Sequence, residues 1–173
     1  MTELIDIFDE NWNPTGELME RSEAKRQGKW HRVAHIWIIN PRGELLLQQR
    51  SPQKKSSHMW AISVAGHIGI GESFITGGIR ELYEELGVNI SSDGLIFISR
   101  NKSPKNFHLC TDFLIQLDLP VDAFTFNDHE VATVKYIHWR ELAKLSADEM
   151  RAQNIMPHEG YTALFDYLEK KGL

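Results

Sequence analysis

The segment from Gly66 to Val88 constrains the fold of this chain more than any other. Glycines open it, and a pattern typical of an amphipathic helix follows from about Ser73 to Leu86. Apolar residues recur about every 100° of helical rotation, at positions 75, 79, 82 and 86. Gly87 comes directly afterwards, where a left-handed glycine commonly ends a helix. We therefore predict a glycine-rich loop that turns into a helix, with one face of the helix packed against a core.

The same helix carries a cluster of three glutamates. Glu81, Glu84 and Glu85 are spaced i, i+3 and i+4, so their side chains share one face. We expect that face to lie well away from the apolar one. Like charges at this spacing destabilise a helix by roughly 0.2–0.5 kcal/mol per pair. A divalent cation such as Mg²⁺, which prefers hard oxygen ligands, would offset the repulsion; a solvated acidic surface is the alternative explanation.

Two further features concern the geometry of this segment. Arg80 adjoins the glutamates and is placed to pair with Glu72, which would steady the junction between loop and helix. Gly77 and Gly78 lie inside the helix, where each costs about 1 kcal/mol relative to alanine. Close packing of the helix against a sheet would explain the glycine pair, and so would a kink. The sequence does not choose between them.

Residues 66–88 match every specified position of the Nudix box, G-x5-E-x7-R-E-U-x-E-E-x-G-U, where U is apolar. Because the motif is long and specific, the chain resembles the Nudix hydrolase superfamily. The resemblance implies an α/β (α+β) fold, in the form of an α/β/α sandwich built on a mixed β-sheet. It also implies a pyrophosphohydrolase that cleaves a nucleoside diphosphate derivative by attack of water on phosphorus.

The resemblance assigns roles to individual residues. Glu81, Glu84 and Glu85 would bind Mg²⁺ or Mn²⁺, helped by a backbone carbonyl near Gly66, and metal-ion catalysis would activate water. One of the three glutamates, or Glu130, would orient or deprotonate that water. Glu130 lies where many Nudix enzymes carry an extra metal ligand or base; a solvated loop carboxylate is its alternative. Structural roles fall to Glu72, Arg80 and Gly87.

Outside the box, roughly residues 5–140 resemble type I isopentenyl-diphosphate isomerase and its hydrolase relatives. Arg50 and Lys54 match residues that hold the diphosphate in the isomerase, which is a suitable use of cationic side chains. His31 and His67 match two of its metal-binding histidines, whereas an alanine stands at a third. We treat these two histidines as candidate substrate-site residues, although a buried, hydrogen-bonded histidine is equally compatible with each.

The isomerase moves protons on carbon with a cysteine and a glutamate, and this chain carries neither at the matching places. Ala65 stands at the cysteine position. The glutamate position falls at Leu109, and Cys110 would point to the other face of that strand. An intact box without these groups favours hydrolysis of a nucleoside or isoprenoid diphosphate. An isomerase-like enzyme and a non-catalytic Nudix ligand-binding module are the alternatives. Residues that select the substrate are expected in three loops: 51–58, 100–106 and 119–130.

The composition of the chain restricts the classes of molecule that we expect it to bind. The chain has 173 residues, a net charge of −5 and a pI of about 5.9, whereas nucleic-acid binders are usually basic. We therefore expect no nucleic acid as partner, and the resemblance to the Nudix superfamily implies a small-molecule diphosphate instead. Cys110 is the single cysteine, which excludes an intrachain disulfide and fits a reducing cytoplasm. Neither a run of about 18 apolar residues nor a basic, apolar leader occurs, so we expect no membrane span and no signal peptide. An oligomer is possible.

The remaining pattern predicts a single mixed domain over residues 1–173. Residues 1–29 would form an N-terminal extension with a hairpin over 4–20, and 141–173 would form the C-terminal helices. Alternating or continuous apolar residues predict strands at 30–40, 45–49, 60–65, 95–99, 107–117 and 131–139. Helical segments are predicted at 141–153 and 160–171.

Overall fold

The computed structural model describes residues 4–173, so the first three residues of the predicted N-terminal extension lie outside it. The strands are β1 (Leu4–Phe8), β2 (Pro14–Glu20), β3 (His31–Ile39), β4 (Glu44–Arg50), β5 (Trp60–Ala61), β6 (Val64–His67), β7 (Ile96–Ser103), β8 (His108–Gln116) and β9 (Val131–His138). The helices are α1 (Arg21–Arg26), α2 (Phe74–Leu86), α3 (Trp139–Ala143), α4 (Ala147–Ala152) and α5 (Tyr161–Lys171).

Strands β3 to β9 build one mixed, seven-stranded sheet. At its centre β3 runs parallel to β8, in register from His31↔His108 to Ile39↔Gln116. β6 pairs antiparallel with the first half of β3, while β4 pairs with the C-terminal end of β3. β4 also joins β5 and β9, and β7 lies beyond β8. β1 and β2 form the predicted N-terminal hairpin as a separate two-stranded sheet.

Helices cover both faces of the large sheet. α2 packs on one face, where Leu82 and Leu86 join Ile36, Leu46 and Val64 in a buried cluster. The C-terminal helices cover the other face through a second cluster that includes Trp37, Leu47, Trp139, Leu142, Met150, Leu164 and Leu168. The predicted α/β/α sandwich around a mixed sheet is confirmed. No helix within residues 4–173 is long and apolar enough to cross a membrane.

α2 begins and ends where the sequence predicts, and Leu82 and Leu86 of the predicted apolar face are buried, but the packed face also includes Glu85 and leaves out Ile75. The Ser73 side chain accepts a hydrogen bond from the Thr76 amide, and Gly87 ends the helix with a left-handed φ of 70°. The buried residues of the helix are Gly77, Gly78, Leu82, Glu85 and Leu86, whereas Ile75 is 39% exposed. The expectation that the acidic face lies well away from the apolar one is therefore wrong, because Glu85 belongs to the buried face.

The two glycines inside α2 differ in how closely their surroundings approach. A Cβ on Gly78 would lie 3.4 Å from side-chain atoms of Ala34 and of Ile36, an ordinary contact distance, so the sheet leaves room for it. A Cβ on Gly77 would meet the end of the Ile68 side chain at 2.7 Å and a carboxylate oxygen of Glu72 at 3.0 Å. Close packing therefore accounts for Gly77, and the structure gives no such reason for Gly78.

Four elements differ from the sequence prediction. β7 continues to Ser103, so residues 100–103 of the expected loop belong to a strand. The strand expected at 60–65 is divided into β5 and β6, because the buried Ser63 hydroxyl lies between them and bonds the backbone of β3 and β4. The helix expected at 141–153 is two short helices, and a capping box of Ser146 and Glu149 begins the second. α1 was not predicted, since its six residues are almost all polar and carry no apolar periodicity.

Candidate active site

A cleft of about 860 Å³ lies between β6, the inner face of α2, the loop after β4, and α1. It collects most of the residues that the sequence singled out: His31, Arg50, Lys54, Gly66, His67, Arg80, Glu81, Glu84, Glu85 and Glu130. The other two predicted residues do not line it. Glu72 supports the cleft from behind through Arg80, and Gly87 ends α2.

Gly66 lets the backbone of β6 lie directly against the carboxylate of Glu81. Any Cβ at position 66 would overlap the Glu81 side chain, so glycine is required for this approach. β6 is held in place by its antiparallel pairing with β3, in which Gly66 faces Ala34. Gly66, the first residue of the box, thereby contacts Glu81, the first glutamate of the acidic cluster.

Arg80 connects the loop to the acidic cluster. Its Nε and Nη2 donate to the two carboxylate oxygens of Glu72, at 2.9 Å each, and Nη2 also donates to the His67 carbonyl. The predicted pair of Arg80 and Glu72 is therefore present. These hydrogen bonds from Arg80 lower the pKa of Glu72. Arg80 Nη1 donates to Glu81 at 2.9 Å and to Glu84 at 2.8 Å, so part of the repulsion among the glutamates is offset within the protein.

Glu85 is the most buried acid of the cluster, with 2% of its surface exposed. Its carboxylate accepts one hydrogen bond, from Gln48 Nε2 on β4 at 2.7 Å. Burial raises the pKa of Glu85 well above the ordinary value, and the charge of Glu81 raises it further. A buried carboxylate with one neutral partner, next to two more carboxylates, forms a set of hard oxygen donors that fits a divalent cation such as Mg²⁺ or Mn²⁺.

A second wall of the cleft is basic. Arg50 ends β4, and its Nε donates to the Lys55 carbonyl, which fixes the start of the following loop. Lys54 forms an ion pair with Glu130, whose carbonyl accepts a hydrogen bond from the Ser51 amide at the start of the same loop. Arg21 and Lys25 of α1 line the same cleft and were missed, because nothing in the sequence of this short polar segment relates it to the box. The cleft therefore brings cationic side chains and the acidic cluster together in one space.

Three histidines meet at one side of the cleft. The register of the strands explains the cluster. His31 of β3 lies opposite His108 of the parallel strand β8, and His67 of β6 lies opposite Val33 of β3. One ring nitrogen of each lies within 4.8 Å of the others. Burial lowers the pKa of all three, that of His108 to about 3, so the rings are neutral and able to bind a metal ion. The sequence did not identify His108 as a site residue, because a single histidine at the start of a strand does not by itself indicate a site.

The positions that correspond to the isomerase's acid and base hold other groups. Ala65 lies in the cleft wall. Leu109 is fully buried, whereas Cys110, like His108, lines an adjoining smaller cavity. Neither Leu109 nor Cys110 offers a carboxylate. Burial raises the pKa of the Cys110 thiol to about 12, so it stays protonated.

Comparison with known proteins identifies the class. The model of the family described as NUDIX domain matches residues 29–158, well over half of the chain. The chain therefore belongs to the Nudix family, as the box predicted. The match includes all the box residues and the whole of the large sheet, while the N-terminal hairpin and α1 precede it.

Curated relatives place the chain more closely within the family. Nudix hydrolase 3 of Arabidopsis thaliana is 32% identical over 98% of this chain, which spans only 24% of that protein's length. Isopentenyl-diphosphate Delta-isomerase of Pectobacterium atrosepticum is 30% identical over 95% of this chain and 88% of its own length. The predicted resemblance to the isomerase branch is confirmed.

Solved structures share the fold. A protein of Deinococcus radiodurans aligns with a TM-score of 0.67 and 22% identity, over 87% of this chain and 98% of that one. A bifunctional NMN adenylyltransferase/ADP ribose pyrophosphatase of Francisella tularensis, complexed with AMP and a Mn ion, aligns with a TM-score of 0.57 and 18% identity, over 87% of this chain and 46% of that one. At these identities the likeness concerns the fold.

Proposed function

We propose that this protein is a metal-dependent pyrophosphohydrolase that cleaves a diphosphate linkage by attack of water on phosphorus. The substrate is a nucleoside diphosphate derivative or an isoprenoid diphosphate. One observation carries the proposal: an acidic wall of Glu81, Glu84 and Glu85 and a basic wall of Arg50 and Lys54 line a single cleft. This arrangement suits a polyphosphate bound together with its counter-cation.

The acidic wall would hold Mg²⁺ or Mn²⁺ through Glu81, Glu84 and Glu85, with Gly66 providing close backbone approach. A cation bound there would polarise the phosphates and supply a more acidic water. Arg80 orients Glu81 and Glu84 through its fork of donors, while Glu72 holds Arg80 from the other side. The carboxylates are thus pre-positioned, which is the main way in which a protein contributes to this kind of catalysis.

The basic wall would bind the phosphate that is not attacked. Arg50 presents a guanidinium at the end of a strand, and Lys54 presents an ammonium from the loop. Lys54 is paired with Glu130 in the structure. A phosphate that attracts Lys54 would release the Glu130 carboxylate, which could then accept a proton from water or orient it. Glu130 is held near the cleft by its own amide, which donates to Asp128 at 2.9 Å.

The test is release of phosphate and diphosphate from nucleotides, nucleotide sugars, dinucleotides and isoprenoid diphosphates, with Mg²⁺, Mn²⁺ or EDTA. We expect metal-dependent release from at least one class. Glu84→Gln and Glu85→Gln should each lower kcat by orders of magnitude, whereas the exposed Glu141→Gln on α3 serves as a matched control and should keep full activity. Full activity in both cleft variants would contradict the proposal.

The same panel separates the alternatives. Isopentenyl diphosphate should not be converted to its dimethylallyl isomer, since Ala65 and Cys110 provide neither the acid nor the base of that reaction. A folded protein that hydrolyses nothing in the panel but binds one of its members would instead be a ligand-binding module.

A further inference from the structure

The N-terminal hairpin contacts the segment that leads into the acidic helix. This segment, residues 68–73 (the box loop), joins β6 to α2. The hairpin forms a two-stranded sheet of its own, and the match to the family model begins only at residue 29. Because a two-stranded hairpin is marginally stable by itself, its position depends on the groups against which it packs.

Asp6 joins the hairpin to the box loop. Along β1, Ile5 and Ile7 are buried in a small cluster with α1, so Asp6 points to the other side of the strand. There one carboxylate oxygen, Oδ2, accepts hydrogen bonds from the Gly71 amide at 2.9 Å and from Arg32 Nη2 at 3.0 Å. A side chain of the hairpin therefore holds a backbone group of the box loop directly.

Arg32 makes a second connection between the hairpin and the box loop. It alternates along β3 with the same phase as Ala34 and Ile36, which face α2, so Arg32 lies on the side of the sheet that α2 covers. Its Nη1 donates to the Glu72 carbonyl at 2.8 Å, while Nη2 donates to Asp6. The Arg32 side chain is only 12% exposed, so the paired charge of Asp6 compensates its desolvation.

Aromatic rings hold the start of α2 against the same hairpin. The Arg32 guanidinium lies 4.7 Å from the ring centroid of Phe8 in β1 and 5.6 Å from that of Phe74, the first residue of α2. At the hairpin turn, the ring centroids of Trp12 and Phe74 are 6.0 Å apart. Contacts of both kinds are attractive at these distances. The hairpin therefore contacts the box loop and the first turn of α2 together.

Hydrogen bonds continue from the box loop to the acidic cluster. The Glu72 carboxylate accepts from the Gly69 amide at 2.7 Å as well as from Arg80. Arg80 in turn donates to Glu81 and Glu84. A shift of the box loop would therefore move Glu72 and, through Arg80, the two carboxylates of the cluster.

The box loop gains from external support because it contains two glycines. Gly71 adopts a left-handed φ of 71°, and glycine loses more conformational freedom on ordering than any other residue. The hydrogen bond from the Gly71 amide to Asp6 opposes that loss at the residue before Glu72.

We propose that Asp6 is a positioning residue of the active site, which holds the box loop in the conformation in which Glu72 and Arg80 align the metal-binding carboxylates. Asp6 does not line the cleft, so it acts through the box loop and not on the substrate or the cation. The inference rests on the proposed function, because it takes Glu81 and Glu84 as cation ligands.

The experiment measures binding of Mn²⁺ alone to the metal-free protein by calorimetry, with kcat and KM measured separately for a hydrolysed diphosphate. Glu85→Gln identifies the binding step that belongs to the acidic wall. Asp6→Leu should weaken that step about tenfold, the lower end of the effect of removing groups that orient metal ligands. It should lower kcat by a similar factor and change KM little. Asp6→Asn should give an intermediate loss, because its amide oxygen can still accept from the Gly71 amide.

Glu17→Gln is the matched control. Glu17 is another carboxylate of the hairpin, and its ion pair with Lys29 at 2.9 Å does not involve the box loop. This variant should bind Mn²⁺ as wild type does. Exchange of the Gly71 amide hydrogen, followed by NMR without metal, should be faster in Asp6→Leu than in wild type and unchanged in Glu17→Gln.

Thermal unfolding in EDTA separates stability from positioning. If Asp6 only stabilised the fold, its variants would have a lower Tm, but the folded protein would keep its affinity for Mn²⁺. Asp6→Asn, which keeps the size of the side chain and one acceptor, provides the test if Asp6→Leu does not fold.

The outcomes are distinct from those of the hydrolysis assay. Unchanged Mn²⁺ affinity in the folded Asp6 variants, or an equal loss in Glu17→Gln, would overturn the positioning role and leave the proposed hydrolysis intact. Weaker Mn²⁺ binding in the Asp6 variants, without hydrolysis of any diphosphate by wild type, would refute the proposed function and support the positioning role. If wild type bound no Mn²⁺, both would be overturned.

Discussion

Replacing Glu85 by glutamine should make the metal-free protein more stable while weakening its response to divalent cations. Glu85 is 2% exposed, and its one hydrogen bond comes from the neutral amide of Gln48. Burial raises its pKa, and Glu81 raises it further. A carboxyl group whose pKa is higher in the folded state contributes stability below its unfolded pKa of about 4.3, and this contribution is lost as the pH rises through the folded pKa. At neutral pH, the ionised group therefore destabilises the fold.

The size of the effect follows from the penalty for a buried polar group that is poorly compensated, about 1–3 kcal/mol. Glutamine has nearly the same shape, and its carbonyl oxygen can accept the same bond from Gln48. For a domain of this length, each kcal/mol shifts Tm by about 2–4 °C. We therefore expect Glu85→Gln to raise Tm in EDTA by roughly 2–12 °C at pH 7.5, with a smaller gain near pH 5.

The measurement is thermal unfolding of wild type and variant in EDTA and in Mg²⁺, between pH 5 and 8. Mg²⁺ should raise the Tm of wild type by binding the folded state and should raise that of Glu85→Gln much less. Glu84→Gln is the matched control, because the Glu84 side chain is 44% exposed and paired with Arg80, so its loss should give no gain in EDTA. A Glu85→Gln protein that is less stable than wild type in EDTA, and still responds fully to Mg²⁺, would refute the reasoning.

The remaining predictions concern the backbone of the site and its basic wall. Gly66→Ala would displace the Glu81 carboxylate, and since a misplacement of about 1 Å can cost about 100-fold, kcat should fall by that order; an unchanged kcat would contradict the close contact. Lys54→Gln should raise KM about tenfold, the value of one lost charge-assisted hydrogen bond, and an unaltered KM would remove Lys54 from the phosphate site. Gly87→Ala should lower the free energy of unfolding in urea by about 1–3 kcal/mol, because φ is 70° and a Cβ would overlap Thr125; a loss under about 0.5 kcal/mol would show that the chain relaxes there.

The sequence located the acidic half of the site because its residues depend on local geometry. The spacing of Glu81, Glu84 and Glu85 fixes their relative positions on any α-helix, and Ser73 and Gly87 mark the ends of that helix by capping. No knowledge of the tertiary fold is needed for these conclusions. The same applies to the N-terminal hairpin and to most strands, whose apolar patterns are continuous.

The rest of the site depends on strand register and on segments that are distant in the chain. Gln48 reaches Glu85 because of the way β4 lies under α2, and His108 meets His31 through the parallel pairing of β3 and β8. A shift of one residue in either register would point these side chains to the other face. Such pairings cannot be read from one sequence, and neither can the contribution of α1.

The burial of Glu85 also depends on how distant segments pack together, which one sequence does not show. A helical pattern shows which residues share a face, but the depth to which that face is buried depends on how closely the helix approaches the sheet. Glu85 lies about one turn after Leu82 on the buried face of α2, which also holds Gly77 and Gly78. Ile75, by contrast, stays exposed.

Two ion pairs in the cleft suggest how it can accept a highly charged complex. Arg80 compensates Glu84, and Lys54 compensates Glu130. A polyphosphate that arrives with its divalent cation supplies a new partner for each: the cation replaces Arg80 at the glutamates, and the phosphate replaces Glu130 at Lys54. Glu84 and Lys54 would each gain a new partner, Arg80 would keep its hydrogen bonds to Glu72, and the partly exposed Glu130 would be left free to act on water. Binding would therefore exchange the ion-pair partners of Glu84 and Lys54. For this reason we expect the metal and the phosphate to bind more tightly together than either does by itself.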